Sequence, residues 1–341
     1  MNKLVIILIF IFSCNLVSAQ KITASDLKLL QKKEDSLKTL SVKIIQGRNS
    51  GDRFLADSGF TKIFVRALKT RNSFDYPFDS LLTISRLSPP DSSFKIFTWQ
   101  MVISDNVVRQ HGAIQMRTAD GSLKLFPLID KSDITKNMMD TVGNNFGWIG
   151  AVYYNLVQTQ AGGKTYYTLL GYDENNIRSN KKIIEVLTFE NGEPVFGGSY
   201  FNFSDNLSLK QNPGRLILEY KKNASPRLVY DKEQDMIVYE HLVPEREGDD
   251  PKKKYTYVGD GDYEGIKWKD GKWVHINKVF TQVTKEFEEP VPNPIRDANG
   301  DIDPAKLKDK GLAGDETEDK PAKTETKTKI TPSKVKIKKK Q

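Results

Sequence analysis

Residues 266–276 read IKWKDGKWVHI, which puts two tryptophans and a histidine around one Asp-Gly pair in a chain with only four tryptophans and three histidines. Trp268, Trp273 and His275 could do either of two things. Tryptophans standing on the open face of a sheet can stack on a sugar ring, which would make the three residues a ligand platform. Turned inward, the same rings would bury a large area and gain from offset packing. With Asp270-Gly271 as a two-residue loop, Trp268 falls opposite Trp273 and Ile266 opposite His275. Lys267, Lys269, Lys272 and Val274 then share the other side. The neighbouring Ile266 favours the dry reading, since a sugar platform carries polar residues beside its aromatics.

Acidic residues offer a second chemistry. The stretch DANGDID places Asp297, Asn299, Asp301 and Asp303 at the alternating spacing of calcium ligands, although its glycine comes two residues early and the twelfth position is Lys308. The alternative is a solvated acidic turn in a linker. GDGDYEG offers Asp260, Asp262 and Glu264, but Gly271 stands where an EF-hand loop needs a bidentate glutamate. Paired carboxylates could also cleave glycosidic bonds without metal or histidine, and Asp105, Glu185, Glu219 and Glu240 are candidates.

Other chemistries find little support. His111, His241 and His275 lie far apart and form no His-Glu-x-x-His motif for zinc. Gly197-Gly198-Ser199-Tyr200-Phe201 lacks the closing glycine of a nucleophile elbow. Ser25-Asp26-Leu27-Lys28 and Ser179-Asn180-Lys181-Lys182 fit Ser-x-x-Lys, without the companion motifs that would give either a role. No phosphate-cradling glycine loop or dinucleotide fingerprint occurs, so no cofactor is expected.

The elements that must position these residues change character along the chain. Leu27, Leu30, Leu37, Leu40 and Ile44 recur at helical intervals, Ser25 can cap them, and Gly47 falls where the helix should stop. A second helix is predicted over 53–71 from Phe54, Leu55, Ile63, Phe64 and Leu68, with Gly59 as its weak point. From residue 93 the texture is β-branched and aromatic, cut by Asp120-Gly121, Gly162-Gly163, Asn191-Gly192 and Asp270-Gly271, pairs that suit tight hairpin turns. Read as a two-residue loop, Asp120-Gly121 sets Met116 opposite Leu125 and Thr118 opposite Leu123, with Arg117 and Lys124 on a charged face. Further strands are predicted over 94–103, 151–157, 166–170, 216–220 and 236–242. The fold class is therefore α+β: a helical N-terminal segment (20–75), then a mostly antiparallel β meander (93–285), barrel-like or in two sheets.

The two ends carry different information. Lys3, the apolar run 4–12 and Val17-Ser18-Ala19 form a secretory signal, residues 1–19, with cleavage expected after Ala19. The apolar run is about half the ~20 residues of a spanning helix, so no transmembrane segment is expected after cleavage. Cys14, the only cysteine, raises lipidation as a rival, against which stands the bulky Phe12. Residues 286–341 are read as a disordered charged tail. Its last part, 320–341, has nine lysines against one glutamate, which with Lys3 accounts for more than the whole net charge of +8. The body is near neutral. The tail could meet an anionic surface or envelope glycan, but it has neither the arginine forks nor the aromatics of a nucleic-acid reader.

The phrases GYDENNIRSNKKIIEVLTFENGEPVFG, RLILEY, MIVYEHLVPE and YEGIKWKDGKWVHI, within residues 94–280, resemble an uncharacterised family of secreted proteins from Bacteroidota-type Gram-negative bacteria. The resemblance implies export and a shared β-rich domain; no activity is established for that group, and no site residues carry over. The chain is thus expected to be periplasmic or extracellular, or associated with the outer membrane. It is read as a non-enzymatic binding or envelope-structural module, with a carboxylate-dependent hydrolase of envelope glycan or polysaccharide as the alternative.

Overall fold

Thr23, rather than Ser25, starts the first helix: its hydroxyl accepts the Asp26 N–H at 3.1 Å. In the computed structural model, which describes residues 21–104, 107–205 and 212–279, helix α1 spans Ala24–Gln46 and buries Leu30, Leu37 and Ile44 on one stripe. Glu34 also lies in that stripe because its carboxylate accepts the Tyr76 hydroxyl and, at 2.8 Å, the Ser80 N–H. Helix α2, Ser50–Leu68, is capped by Asn49 and buries Ala56, Asp57, Phe60, Phe64, Ala67 and Leu68. Phe54 and Leu55, expected on its apolar face, are exposed instead. The buried stripe follows Phe60 and Phe64, whose rings stack at 5.4 Å. Gly59 does not break the helix, and a Cβ there would sit only 3.6 Å from Leu40 on the facing helix.

Strands β1 (Ser85–Leu87), β2 (Phe94–Ser104), β3 (Val107–Met116) and β4 (Lys124–Ile129) form a first antiparallel sheet in chain order. Strands β5 (Gly143–Asn144), β6 (Val152–Ala161), β7 (Lys164–Asp173), β8 (Ser179–Glu190) and β9 (Glu193–Phe196) form a second, ordered β5-β9-β8-β7-β6. Strand β10 (Phe201–Asn202) opens a third sheet, and β11 (Arg215–Lys221) returns to the second beside β8. Strands β12 (Leu228–Asp231), β13 (Met236–Pro244), β14 (Tyr257–Lys269) and β15 (Lys272–Ile276) complete the third, ordered β10-β15-β14-β13-β12. Pairing is antiparallel except between β10 and β15. The fold is α+β with antiparallel-rich sheets after two helices. The meander is neither a closed barrel nor two sheets.

Side-chain alternation explains the layering. On β2, Phe97, Trp99 and Met101 face the helices, while Phe94 and Ile96 face the second sheet. On β7 and β8, Leu169 and Ile183 face the first sheet, while Leu170, Ile184 and Val186 face the third. The order is therefore helices, first sheet, second sheet, third sheet. The second sheet has both faces covered, which is why β8 is buried along nearly its whole length, including its polar Asn180, Lys181, Glu185 and Thr188.

Turn chemistry sets the registers. Gly162-Gly163, Asn191-Gly192 and Asp270-Gly271 each carry positive φ at both positions, and each closes a two-residue hairpin. Asp120-Gly121 does not: only Gly121 has positive φ. Asp120 accepts the Ser122 N–H and hydroxyl, and the turn docks on the end of the helical segment through Asn72 N–H to Gly121 O at 2.9 Å. The loop is longer than predicted, and Met116 pairs with Lys124 rather than Leu125. This one-residue slip sends Met116 towards the second sheet and Leu125 towards the helices. Both faces of the first sheet are covered, so both side chains find apolar neighbours.

Candidate functional site

Strands β13 and β14 pair regularly from Met236–Lys267 to Glu240–Tyr263, and the next pair is Leu242–Gly259. One residue, His241, therefore stands against three: Asp260, Gly261 and Asp262. Gly261 takes φ +89°, and Asp260 accepts the Asp262 N–H at 3.0 Å, closing the bulge on itself. Bulges re-aim side chains. Here the result is a contact of 2.7 Å between His241 Nδ1 and Asp260 Oδ2.

The same rim of the third sheet carries a second histidine. His275 lies on the core-facing side with Ile266 and Trp273, and its side chain is fully enclosed. Its Nδ1 is 3.0 Å from both oxygens of Asp205, and its Nε2 is 3.0 Å from Glu264 Oε2. Glu264 also accepts the Tyr239 hydroxyl at 2.9 Å, and its other oxygen is 3.8 Å from His241 Nε2. Two imidazoles and three carboxylates thus form one chain: Asp205, His275, Glu264, His241, Asp260.

A ring whose two nitrogens both face ionised carboxylates donates from both in its charged form, so this geometry favours the imidazolium of His275. Burial works against its charge, but the hydrogen bonds to Glu264 and Asp205 outweigh burial and raise its pKa. Burial likewise works to raise Glu264, and the bonds from His275 and Tyr239 reverse that and lower it. Asp260 is lowered in the same way, with His241 and the Asp262 N–H overcoming burial. Tyr239 is raised well above its ordinary value by burial and then by the Glu264 charge.

These directions fix a pH dependence. The contribution of His275 is complete below its ordinary 6.5 and is lost as pH rises through the raised value. The contributions of Glu264 and Asp260 are complete above 4.5 and 3.8 and are lost as pH falls through the lowered values. The cluster therefore stabilises most between about pH 4.5 and 6.5. Urea melts of wild type and His275→Gln should differ most in that window and converge towards alkaline pH. A difference that stays constant from about pH 5 to 10 would contradict the assignment.

No known protein-family model, curated protein or solved structure matches the chain. The chemistry must therefore be read from the geometry alone.

His275 is neither a free base nor a free ligand, because both nitrogens are engaged. His241 is the more exposed of the two histidines, with 41% of its side chain accessible. A carboxylate at Nδ1 orients a histidine as in a general base, but its Nε2 is turned towards Glu264. Among the described residues no group of histidine, cysteine or carboxylate side chains is placed to hold a metal ion. The third histidine also faces a carboxylate: His111 Nδ1 lies 3.3 Å from Asp57, which accepts Trp99 Nε1–H at 2.9 Å. Burial lowers His111, with Asp57 and Asp130 opposing the shift.

The predicted platform is placed differently from a ligand surface. Trp273 has no exposed area and donates its Nε1–H to Thr168 on β7 at 2.8 Å. A ring with no open face cannot stack on a sugar. Trp268 is half-buried, packs on Trp273 at 5.4 Å and Tyr166 at 5.1 Å, and donates to the Gln160 carbonyl. Of the three, His275 alone joins the ionisable cluster. The calcium candidates Asp297, Asn299, Asp301 and Asp303 lie outside the described residues, as do Asp105, the signal segment and the tail. Glu219 accepts the Ser179 hydroxyl at 2.6 Å, and Glu240 accepts the Arg227 N–H at 3.0 Å. Ser179 and Lys182 point to opposite faces of β8, so that motif does not converge.

Glu185 belongs to a second cluster, between the first and second sheets. It pairs with Arg215 at 3.0 Å, with neither residue exposed, and accepts the Tyr153 hydroxyl. Tyr153 in turn accepts Trp148 Nε1–H at 2.7 Å. The Arg215 Nη1 donates to the Met138 and Thr141 carbonyls. Arg215 thus ties the long connection between β4 and β6 to the second sheet.

Sequence reasoning did not find the five-membered chain because its members are scattered between positions 205 and 275. One signal was present: Gly261 inside a strand pattern marks a bulge. That would have drawn Asp260 towards the facing residue of the preceding strand.

Proposed function

We propose that the protein is an exported, non-catalytic module of the cell envelope, one that binds or braces and does no chemistry of its own. One observation carries this reading: the buried ionisable groups of both clusters, His275, Glu264, Glu185 and Arg215, are held by one another. Both His275 nitrogens meet carboxylates, and Glu185 is filled by Arg215 and Tyr153. A hydrolase needs the opposite, two carboxyl groups about 5–10 Å apart facing a cleft with room for sugar and water. The apolar run and Val17-Ser18-Ala19 support export, and the lysine-rich residues 320–341 support attachment to an anionic envelope surface.

The test is direct. The intact gene product should yield a mature chain beginning at Gln20, by mass spectrometry of the periplasmic and external fractions. Purified mature protein should release no reducing ends from peptidoglycan or from neutral and acidic polysaccharides. Release of reducing ends that disappears in Glu264→Gln would replace this reading with the carboxylate-dependent hydrolase.

A further inference from the structure

The turn of the helical hairpin carries features that neither the core nor the histidine cluster uses. A cleft of about 610 Å³ opens between the end of α1 and the start of α2. Its apolar part is Leu40, Ala56 and Leu55, and Leu55 is 75% exposed. Phe54, beside it, is 48% exposed, and Val42 and Ile45 are exposed at the same end of the hairpin. Lys43 and Arg48 line the cleft too. Among the described residues, neither side chain has a hydrogen-bond or ion-pair partner. The one carboxylate of the lining, Asp52, is held by the Asn49 amide at 3.0 Å. Arg53 is occupied as well, donating to the Gly47, Val102 and Ile103 carbonyls and pinning the turn to the end of β2.

The turn is therefore pinned in place, with two cations unpaired among the described residues and an apolar lip. An enclosed ligand would need walls over Leu55, and the described lining leaves that side chain open. A flat surface needs none. We propose that this hairpin turn docks on an anionic lipid bilayer, with Lys43 and Arg48 at headgroup phosphates and Phe54 and Leu55 entering the interfacial layer. Apolar insertion combined with basic residues is the general logic of interfacial anchoring. The proposal deepens the envelope reading, on which it rests for access to a membrane, and is independent of the histidine cluster.

The test is co-sedimentation of the full mature protein with phosphatidylglycerol–phosphatidylcholine vesicles, at low salt. Each cation near an anionic leaflet contributes about fivefold to binding, so Lys43→Gln/Arg48→Gln should weaken it roughly 25-fold. Lys28→Gln/Lys38→Gln removes the same charge from exposed positions elsewhere on α1 and should change binding only about twofold, by net charge alone. Leu55→Ser should weaken binding at unchanged charge. Deleting residues 320–341 measures the share of the basic tail and should leave the Lys43/Arg48 effect in place. Equal losses in the two double variants would overturn the proposal, since only total charge would then matter. So would binding of monomeric fatty acid without binding of vesicles. Failure here with correct export and no hydrolysis would sink the docking surface and leave the proposed function standing.

Discussion

Arg215→Ala should lower the melting temperature by on the order of 10 °C. The substitution leaves Glu185 as an uncompensated charge with no exposed surface, and breaking a buried pair from one side costs about 3–5 kcal/mol. For a body of this size each kcal/mol corresponds to roughly 2–4 °C. A further loss points the same way: the Met138 and Thr141 carbonyls lose their donor. The Tyr153 hydroxyl still donates to Glu185 and offsets only part of the missing counter-charge. Glu185→Met/Arg215→Met separates these effects. Removing both charges together relieves the unpaired-charge penalty, so the double variant should melt above Arg215→Ala. It should still fall below wild type, because the two loop carbonyls remain without partners. A double variant as stable as wild type would mean that the carbonyl contacts contribute nothing.

Trp273→Ala is the second large effect. The ring is fully enclosed among Phe201, Ile266 and Leu170 in the third core. Truncating a buried tryptophan costs about 3–5 kcal/mol, and the Thr168 hydroxyl loses its partner as well. Calorimetry should show a fall comparable to that of Arg215→Ala. Trp268→Ala should fall by less than half as much, since that ring is half-buried and packs only at the rim. Trp273→Phe retains most of the volume and should lie between them. A shift of only a degree or so for Trp273→Ala would place the ring in water and reopen the search for a sugar ligand.

Much of the third sheet was legible because its hairpin depends on local chemistry. Asp270-Gly271 can adopt positive φ at both positions, and the pairs Trp268–Trp273 and Ile266–His275 follow directly. The Asp120-Gly121 hairpin looked equivalent and was not. Its aspartate is committed to Ser122 two residues on, and its backbone is held by Asn72 and Arg71 from the helical segment, contacts that a local reading cannot see. The number of layers was hidden for a similar reason. Alternation distinguishes a covered face from a wet one, but β2 and β8 are covered on both faces, and β8 buries Asn180, Lys181, Glu185 and Thr188 beside its apolar residues, so its pattern marks neither face as dry. In the candidate site, His275 stood out by rarity and Asp260 and Glu264 by spacing. What joined them was a bulge and a partner 70 residues away, both products of tertiary structure.

The layer order also bears on how the chain comes together in time. Helices, first sheet, second sheet and third sheet follow one another along the chain almost as they are stacked, so a chain made from its N-terminus can close its layers in sequence. Strand β8 is the exception. One of its edges is shared, with β9 pairing beyond Leu187 and β11 pairing along residues 179–185. Strand β11 follows β9 and β10 in the chain, so until it arrives half of that edge waits as an unsatisfied template. Arg215, the first residue of β11, fills Glu185 when that strand is seated.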